Sequence, residues 1–261
     1  MSTTNIPAID TIISAAESEG ALVGLRAILP DGTRIGHREN EIFVAASTIK
    51  IAIMIQLYRM VDAGETTLDQ THVMQESDIS PGSGIMQGLH PGVELTLNDV
   101  NYLMMSISDN TATNILIEHC GRENINATMR ELGLKDSYLA RPMRGGPAPE
   151  GERENVATPA EFAHIIGTIL NGKAASAEIC MAMLEVLKTQ ANSRRIGRYV
   201  PKDMEWGSKT GSHVTTVNDV GFIMTKDGPL IISVYGELLP DVVSGEILIA
   251  EITREVLALT S

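Results

Sequence analysis

Three short runs carry residues able to do acyl-transfer chemistry, and each occurs once: Ser47-Thr48-Ile49-Lys50, Ser108-Asp109-Asn110 and Lys209-Thr210-Gly211. In the first, a Ser at the start of a helix and a Lys one turn later put hydroxyl and amine on one face. A neutral amine there can take the hydroxyl proton and make Ser47 a nucleophile. The helix around Lys50 is apolar almost all round, and desolvation disfavours the ammonium form. Taken alone, the same four residues also read as an N-cap serine followed by a snorkelling lysine.

Ser108-Asp109-Asn110 follows a predicted helix that ends near Ile107, so it reads as a loop leading into the next helix. In that position Ser108 would relay a proton to a leaving group, Asn110 would hold Lys50 and a substrate carbonyl, and Asp109 would brace the loop. Lys209-Thr210-Gly211 falls at the end of an apparent strand. Gly211 permits close backbone approach, Lys209 and Thr210 would bind a substrate carboxylate, and a backbone N–H of Ser212 would join that of Ser47 as an oxyanion hole. Each run by itself is also an ordinary cap or strand end; three together, each at its expected kind of element, are a poor coincidence.

The elements that must position these residues follow from periodicity and turn chemistry. Helices are predicted over 7–19, 48–61 and 96–107, near 111–119, 123–132, 159–171 and 176–189, and over 243–259. Strands are predicted at 21–29 and 33–37 around an Asp31-Gly32 turn, and at 204–209, 219–225 and 230–236. Strands at both ends of the chain and helices between them give an α+β architecture. Both chain ends build one antiparallel sheet flanked by helices, with an all-helical part inserted. We expect one domain over 1–261, divided into a sheet part (1–46 and 203–261) and a helical part (47–202), with the site in the cleft between them.

With 33 acidic and 20 basic side chains the net charge is −13, which repels phosphate backbones and anionic bilayers. Neither nucleic acid nor a membrane is an expected partner. The first residues lack a basic and then apolar leader pattern, and no run is long and apolar enough to span a bilayer, so the expected location is cytoplasmic. Cys120 and Cys180 stand apart without ligand spacing and read as buried thiols. No histidine falls in a metal-ligand spacing, and no phosphate-binding glycine loop is present, so no metal and no cofactor is expected. His213, close to the third run, reads as a loop residue.

The three runs resemble the signature of the class A β-lactamase and penicillin-binding-protein family. The similarity extends through Ala46-Ser47-Thr48-Ile49-Lys50, Val61-Asp62-Ala63-Gly64-Glu65, Ser108-Asp109-Asn110-Thr111-Ala112-Thr113-Asn114, Met129-Arg130-Glu131-Leu132-Gly133-Leu134, Ala157-Thr158-Pro159 and Asn218-Asp219-Val220-Gly221. It implies the β-lactamase/transpeptidase-like fold and a serine hydrolase that works through an acyl-enzyme. Ser47, Lys50 and Ser108 are then its catalytic residues, and Asn110, Lys209, Thr210, Gly211 and Ser212 its substrate-binding residues.

One family element is missing. Secreted members carry a Glu-x-x-x-Asn run in the Ω-loop that holds the hydrolytic water. With Arg141 and Glu154 in the place of that loop's Arg and its acidic partner, no carboxylate stands at the expected position. Glu150 is the expected substitute, aimed by Pro147-Ala148-Pro149, with Glu152 the other acid nearby. The glycine-rich Ser80–Met86 segment also lacks the aromatic found at the cleft mouth of the resistance enzymes.

The expected activity is β-lactam hydrolysis. A peptidase, amidase or esterase on the same fold is the alternative, and a penicillin-binding sensor acylated without turnover is the alternative of another class. The expected ligand is a small amide, lactam or peptide; the oligomeric state is left open.

Overall fold

The computed structural model describes residues 6–260. The chain begins with helix α1 (Pro7–Ser18) and strands β1 (Leu22–Ile28), β2 (Arg34–His37) and β3 (Phe43–Val44). A 3-10 turn at Ala46–Ile49 runs into helix α2 (Lys50–Asp62), followed by strands β4 (Thr71–Val73) and β5 (Glu94–Thr96). Next come helices α3 (Leu97–Ser106), α4 (Asn110–Cys120) and α5 (Arg122–Glu131), strand β6 (Val156–Ala157), and helices α6 (Pro159–Leu170) and α7 (Ala177–Lys188). Strands β7 (Trp206–His213), β8 (Thr216–Thr225) and β9 (Gly228–Glu237) and helix α8 (Val242–Ala258) complete it.

The five long strands form one antiparallel sheet in the order β2-β1-β9-β8-β7, so its two halves come from opposite ends of the chain. Leu29 N–H bonds the Thr33 carbonyl across the first hairpin, and Gly32 takes the positive φ of +85° that the turn requires. On one sheet face, Ile9 and Ile13 of α1 and Ile249, Ile252 and Val256 of α8 bury against Val23, Leu25, Ile232 and Val234. On the other face lies a larger core that includes the all-round apolar α2, with Ile51, Ile53, Ile55 and Leu57 fully buried.

Helix α6 departs from its expected place in the inserted helical part. It packs on β1, β8 and β9, and its Phe162 meets Tyr235 of β9 edge to face at 6.4 Å. Phe162, Ile165 and Ile166 supply the stripe that makes this possible. The two cysteines are buried free thiols, and burial pushes the Cys120 thiol up to about 12. Among the described residues no helix is long and apolar enough to cross a membrane.

The strand expected at 204–209 begins at Trp206 and continues to His213, so Lys209-Thr210-Gly211 lies within a strand rather than at its end. It pairs with β8 along its whole length, with Lys209 opposite Val220 and Thr210 opposite Asp219. β7 is an edge strand of the sheet, and of its outward carbonyls those of Ser208 and Thr210 accept from Gln190 and Lys209.

Candidate active site

Ser47 sits in the 3-10 turn that precedes α2, partly exposed at the mouth of the cleft. The turn is fixed from behind. Asn218 of β8 donates its side-chain amide to the Val44 and Ala45 carbonyls, while the Thr48 hydroxyl donates to the Ala45 carbonyl and lies 2.9 Å from the Tyr235 hydroxyl. Ala46, just before the nucleophile, has a φ of +45°, a left-handed conformation that costs a non-glycine residue roughly 1 kcal/mol or more. That strain is held by the surrounding bonds.

Lys50 is fully buried one turn inside the helix. Its amine lies 2.7 Å from the Ser108 carbonyl oxygen, 3.0 Å from the Ser108 hydroxyl and 3.1 Å from Asn110 Oδ1. Burial first, and then the positive charge of Lys209, hold its pKa well below the ordinary lysine value, with Asp109 opposing. All three contacts are to oxygens, and the lowered pKa favours the neutral amine that can take a proton from the Ser108 hydroxyl. Contrary to the simple one-turn picture, the bonded partner of Lys50 is Ser108 and not the Ser47 hydroxyl.

Ser108 follows the end of α3 with a φ of +62°, and Asp109 caps α4. One Asp109 oxygen accepts from the Ala112 N–H; the other accepts from the N–H groups of Ile85 and Met86. The cap thus also ties down the glycine-rich rim. Asn110 continues the tie by donating to the Pro81 carbonyl, and Ser83 donates its hydroxyl to the Ser108 carbonyl.

Across the cleft, Lys209 is fully buried and its amine donates to the Thr210 carbonyl. Burial pushes its pKa down to about 7, with the charge of Asp219 opposing and that of Arg195 adding. A Cβ at Gly211 would stand 3.1 Å from both the Ala45 carbonyl oxygen and the Ser47 nitrogen, so glycine is what lets the strand approach the nucleophile's turn.

Sequence reasoning missed Arg195. Its side chain is 2% exposed and donates to the Gly211 and Asn218 carbonyls and to the Ser212 hydroxyl, with Glu246 of α8 at 3.5 Å. Buried Asp219, raised by its burial, lies on the same network. The only local signal was a second arginine in the polar run Asn192-Ser193-Arg194-Arg195.

The loop from Arg141 to Asn155 closes the other side. Arg141 grips Glu154 with two nitrogens, at 3.0 and 2.9 Å, and Glu154 also accepts from the Ala148 and Asn155 N–H groups. Burial acts to raise the Glu154 pKa, but these bonds outweigh it and hold the carboxyl below its ordinary value. Met143 of that loop lines the smaller cavity, its backbone gripped at both N–H and C=O by the Asn114 side chain. Glu150 is not brought to the site: its side chain is exposed and it lines neither cavity at Ser47. The loop is anchored from Arg141 and Glu154, which leaves the segment after Pro149 on its outer face. Glu152 is paired with Arg144 at 2.7 Å.

Two cavities meet at Ser47. One, of about 650 Å³, runs past Ser106, Ser108, Thr210, Ser212 and Arg195. The other, of about 130 Å³, lies under the Arg141–Asn155 loop beside Asn110 and His213.

A serine on a helix-opening turn, a buried lysine behind it, a second serine on that lysine and an antiparallel edge strand opposite define a β-lactamase- and penicillin-binding-type serine enzyme. The family model described as β-lactamase enzyme family matches residues 7–259, and the chain belongs to that family. The crystal structure of a β-lactamase from Sphaerobacter thermophilus is 47% identical, with a TM-score of 0.97 over 99% of this chain and 98% of that one. β-Lactamase SME-1 of Serratia marcescens is 28% identical over 211 residues, 78% of this chain and 71% of that protein. The structure of PBP-A, 24% identical, shares the fold at a TM-score of 0.88 over 99% of this chain and 98% of that one.

Proposed function

We propose that this protein hydrolyses β-lactams through an acyl-enzyme on Ser47. The observation that carries this reading is the Lys50 amine held against Ser108 with no carboxylate bonded to it. Ser47 attacks the lactam carbonyl while its proton passes through the Ser108 hydroxyl toward Lys50. The developing oxyanion meets backbone N–H groups of Ser47 and Ser212. The lactam C–N bond then breaks as Ser108 protonates the departing nitrogen, and Thr210, Ser212 and Arg195, which line the larger cavity, hold the substrate carboxylate with the charge of buried Lys209 behind them. Water cleaves the ester, releasing the ring-opened acid and restoring Ser47.

The water step lacks a free carboxylate. Glu154 is the one acid lining the cavities among the described residues, and its four acceptor directions are filled. The Lys50–Ser108 pair serves this step as well, and it is slower than acylation. The same observation favours a second reading, a penicillin-binding protein that is acylated and turns over only rarely. Chromogenic cephalosporin turnover by wild type and Ser47→Ala decides: many cycles per site, lost in the variant, support hydrolysis. One cycle or fewer supports the second reading.

A further inference from the structure

The charge on the cleft wall runs against the charge of the molecule. The whole chain carries −13, yet Arg194 and Arg195 line the larger cavity, Arg141, Arg144 and His213 line the smaller one, and Glu154 is the single acid on either wall. Glu154 is consumed by Arg141. Arg194 and Arg195 share Glu246, and Arg144 is paired with Glu152, so the surplus is modest, yet it is positive where the rest of the molecule is negative and favours anions in the cleft.

The two cavities have different occupants. Ser108, which protonates the departing nitrogen, lines the larger cavity and is absent from the smaller, whereas Asn110 lines the smaller alone. The leaving group and its carboxylate therefore occupy the larger cavity, beside Thr210, Ser212 and Arg195. The acyl side chain extends from Ser47 the other way, under the Arg141–Asn155 loop.

We infer that the smaller cavity selects substrates whose acyl side chain carries its own carboxylate, recognised by Arg144 with His213 opposite. The preferred substrate is then a dianion with one negative charge on each side of Ser47. Arg144 is half-exposed and gives only Nη1 to Glu152, leaving Nε and Nη2 without a protein partner. Those two nitrogens form a fork that suits a carboxylate. Gly145 and Gly146 beside it put no side chain in the way.

This inference rests on the β-lactam reading above, and one matched pair of probes separates the two. Carbenicillin differs from benzylpenicillin by a single carboxylate on the acyl side chain. Second-order rates of Ser47 acylation by each are measured by stopped-flow and intact mass. Carbenicillin is expected to react about tenfold faster, the scale of one partly exposed charge-assisted hydrogen bond. The preference should disappear in Arg144→Gln and grow in Glu152→Gln, which frees the guanidinium. Equal rates, or a preference that Arg144→Gln leaves intact, overturn this inference alone. No Ser47 adduct with either penicillin overturns the β-lactam reading and this inference with it.

Discussion

The amine of Lys50 lies 3.0 Å from the hydroxyl of Ser108 and 2.7 Å from the same residue's carbonyl oxygen. The carbonyl fixes where the amine points, and the hydroxyl is where its lone pair can act. Ser108→Ala keeps the first contact and removes the second. Its acylation rate with benzylpenicillin should fall about 10²- to 10⁴-fold, the usual range for a positioned proton donor or acceptor. Single-turnover mass spectrometry reads that rate, and a loss under threefold would place the proton route elsewhere.

Burial pushes the Lys209 pKa down to about 7. The amine is charged below that value and neutral above it, so capture of a substrate carboxylate should weaken, and KM rise, as the pH climbs through about 7. Stability moves in the opposite direction. The folded-state pKa is below the unfolded one, near 10.4, so between about 7 and 10 the unfolded chain binds the extra proton and stability rises with pH. Urea unfolding of wild type and Lys209→Met across that window should show the gain in wild type and a smaller one in the variant.

Met143 occupies the loop position that faces the smaller cavity, with its backbone clamped by Asn114. Met143→Glu would supply the missing carboxylate next to the ester. The benzylpenicillin adduct should clear faster by about 10²-fold, the lower end for a general base. Timed intact-mass spectra measure this, and an unchanged lifetime would mean that the loop is not what limits the water step.

Glu154→Gln breaks a bidentate pair in which Arg141 is buried. The expected loss is about 2 kcal/mol of unfolding free energy, read by urea denaturation, with slower acylation because the loop walls the smaller cavity. The exposed Glu150→Gln should change neither quantity.

The sequence made visible what local chemistry determines. Ser47 and Lys50 share a helix turn, and Ser108-Asp109-Asn110 bridges two helices, so neighbours within a few residues were enough to place them. Other features depend on distant partners. Arg195 gives no signal of its role in the sequence because its acceptors, on Gly211, Asn218 and Glu246, come from three other elements. Strand β7 was cut short at Lys209 because buried Ser208, Lys209 and Thr210 break the apolar alternation that marks a strand. Strands β3 and β6 pair over two residues each, too few for any periodic signal. Glu150 was expected in the cleft from a stiff proline run, but the Arg141–Glu154 clamp decides which face of that loop points inward.

In the proposed reaction Ser47 carries the acyl group. Intact-protein mass spectrometry after mixing with excess benzylpenicillin, followed over time beside Ser47→Ala, tests it most directly. The wild type should gain one penicillin mass that later clears as ring-opened product accumulates, and the variant should form no adduct. An adduct of equal extent on Ser47→Ala, or none on the wild type, would contradict it.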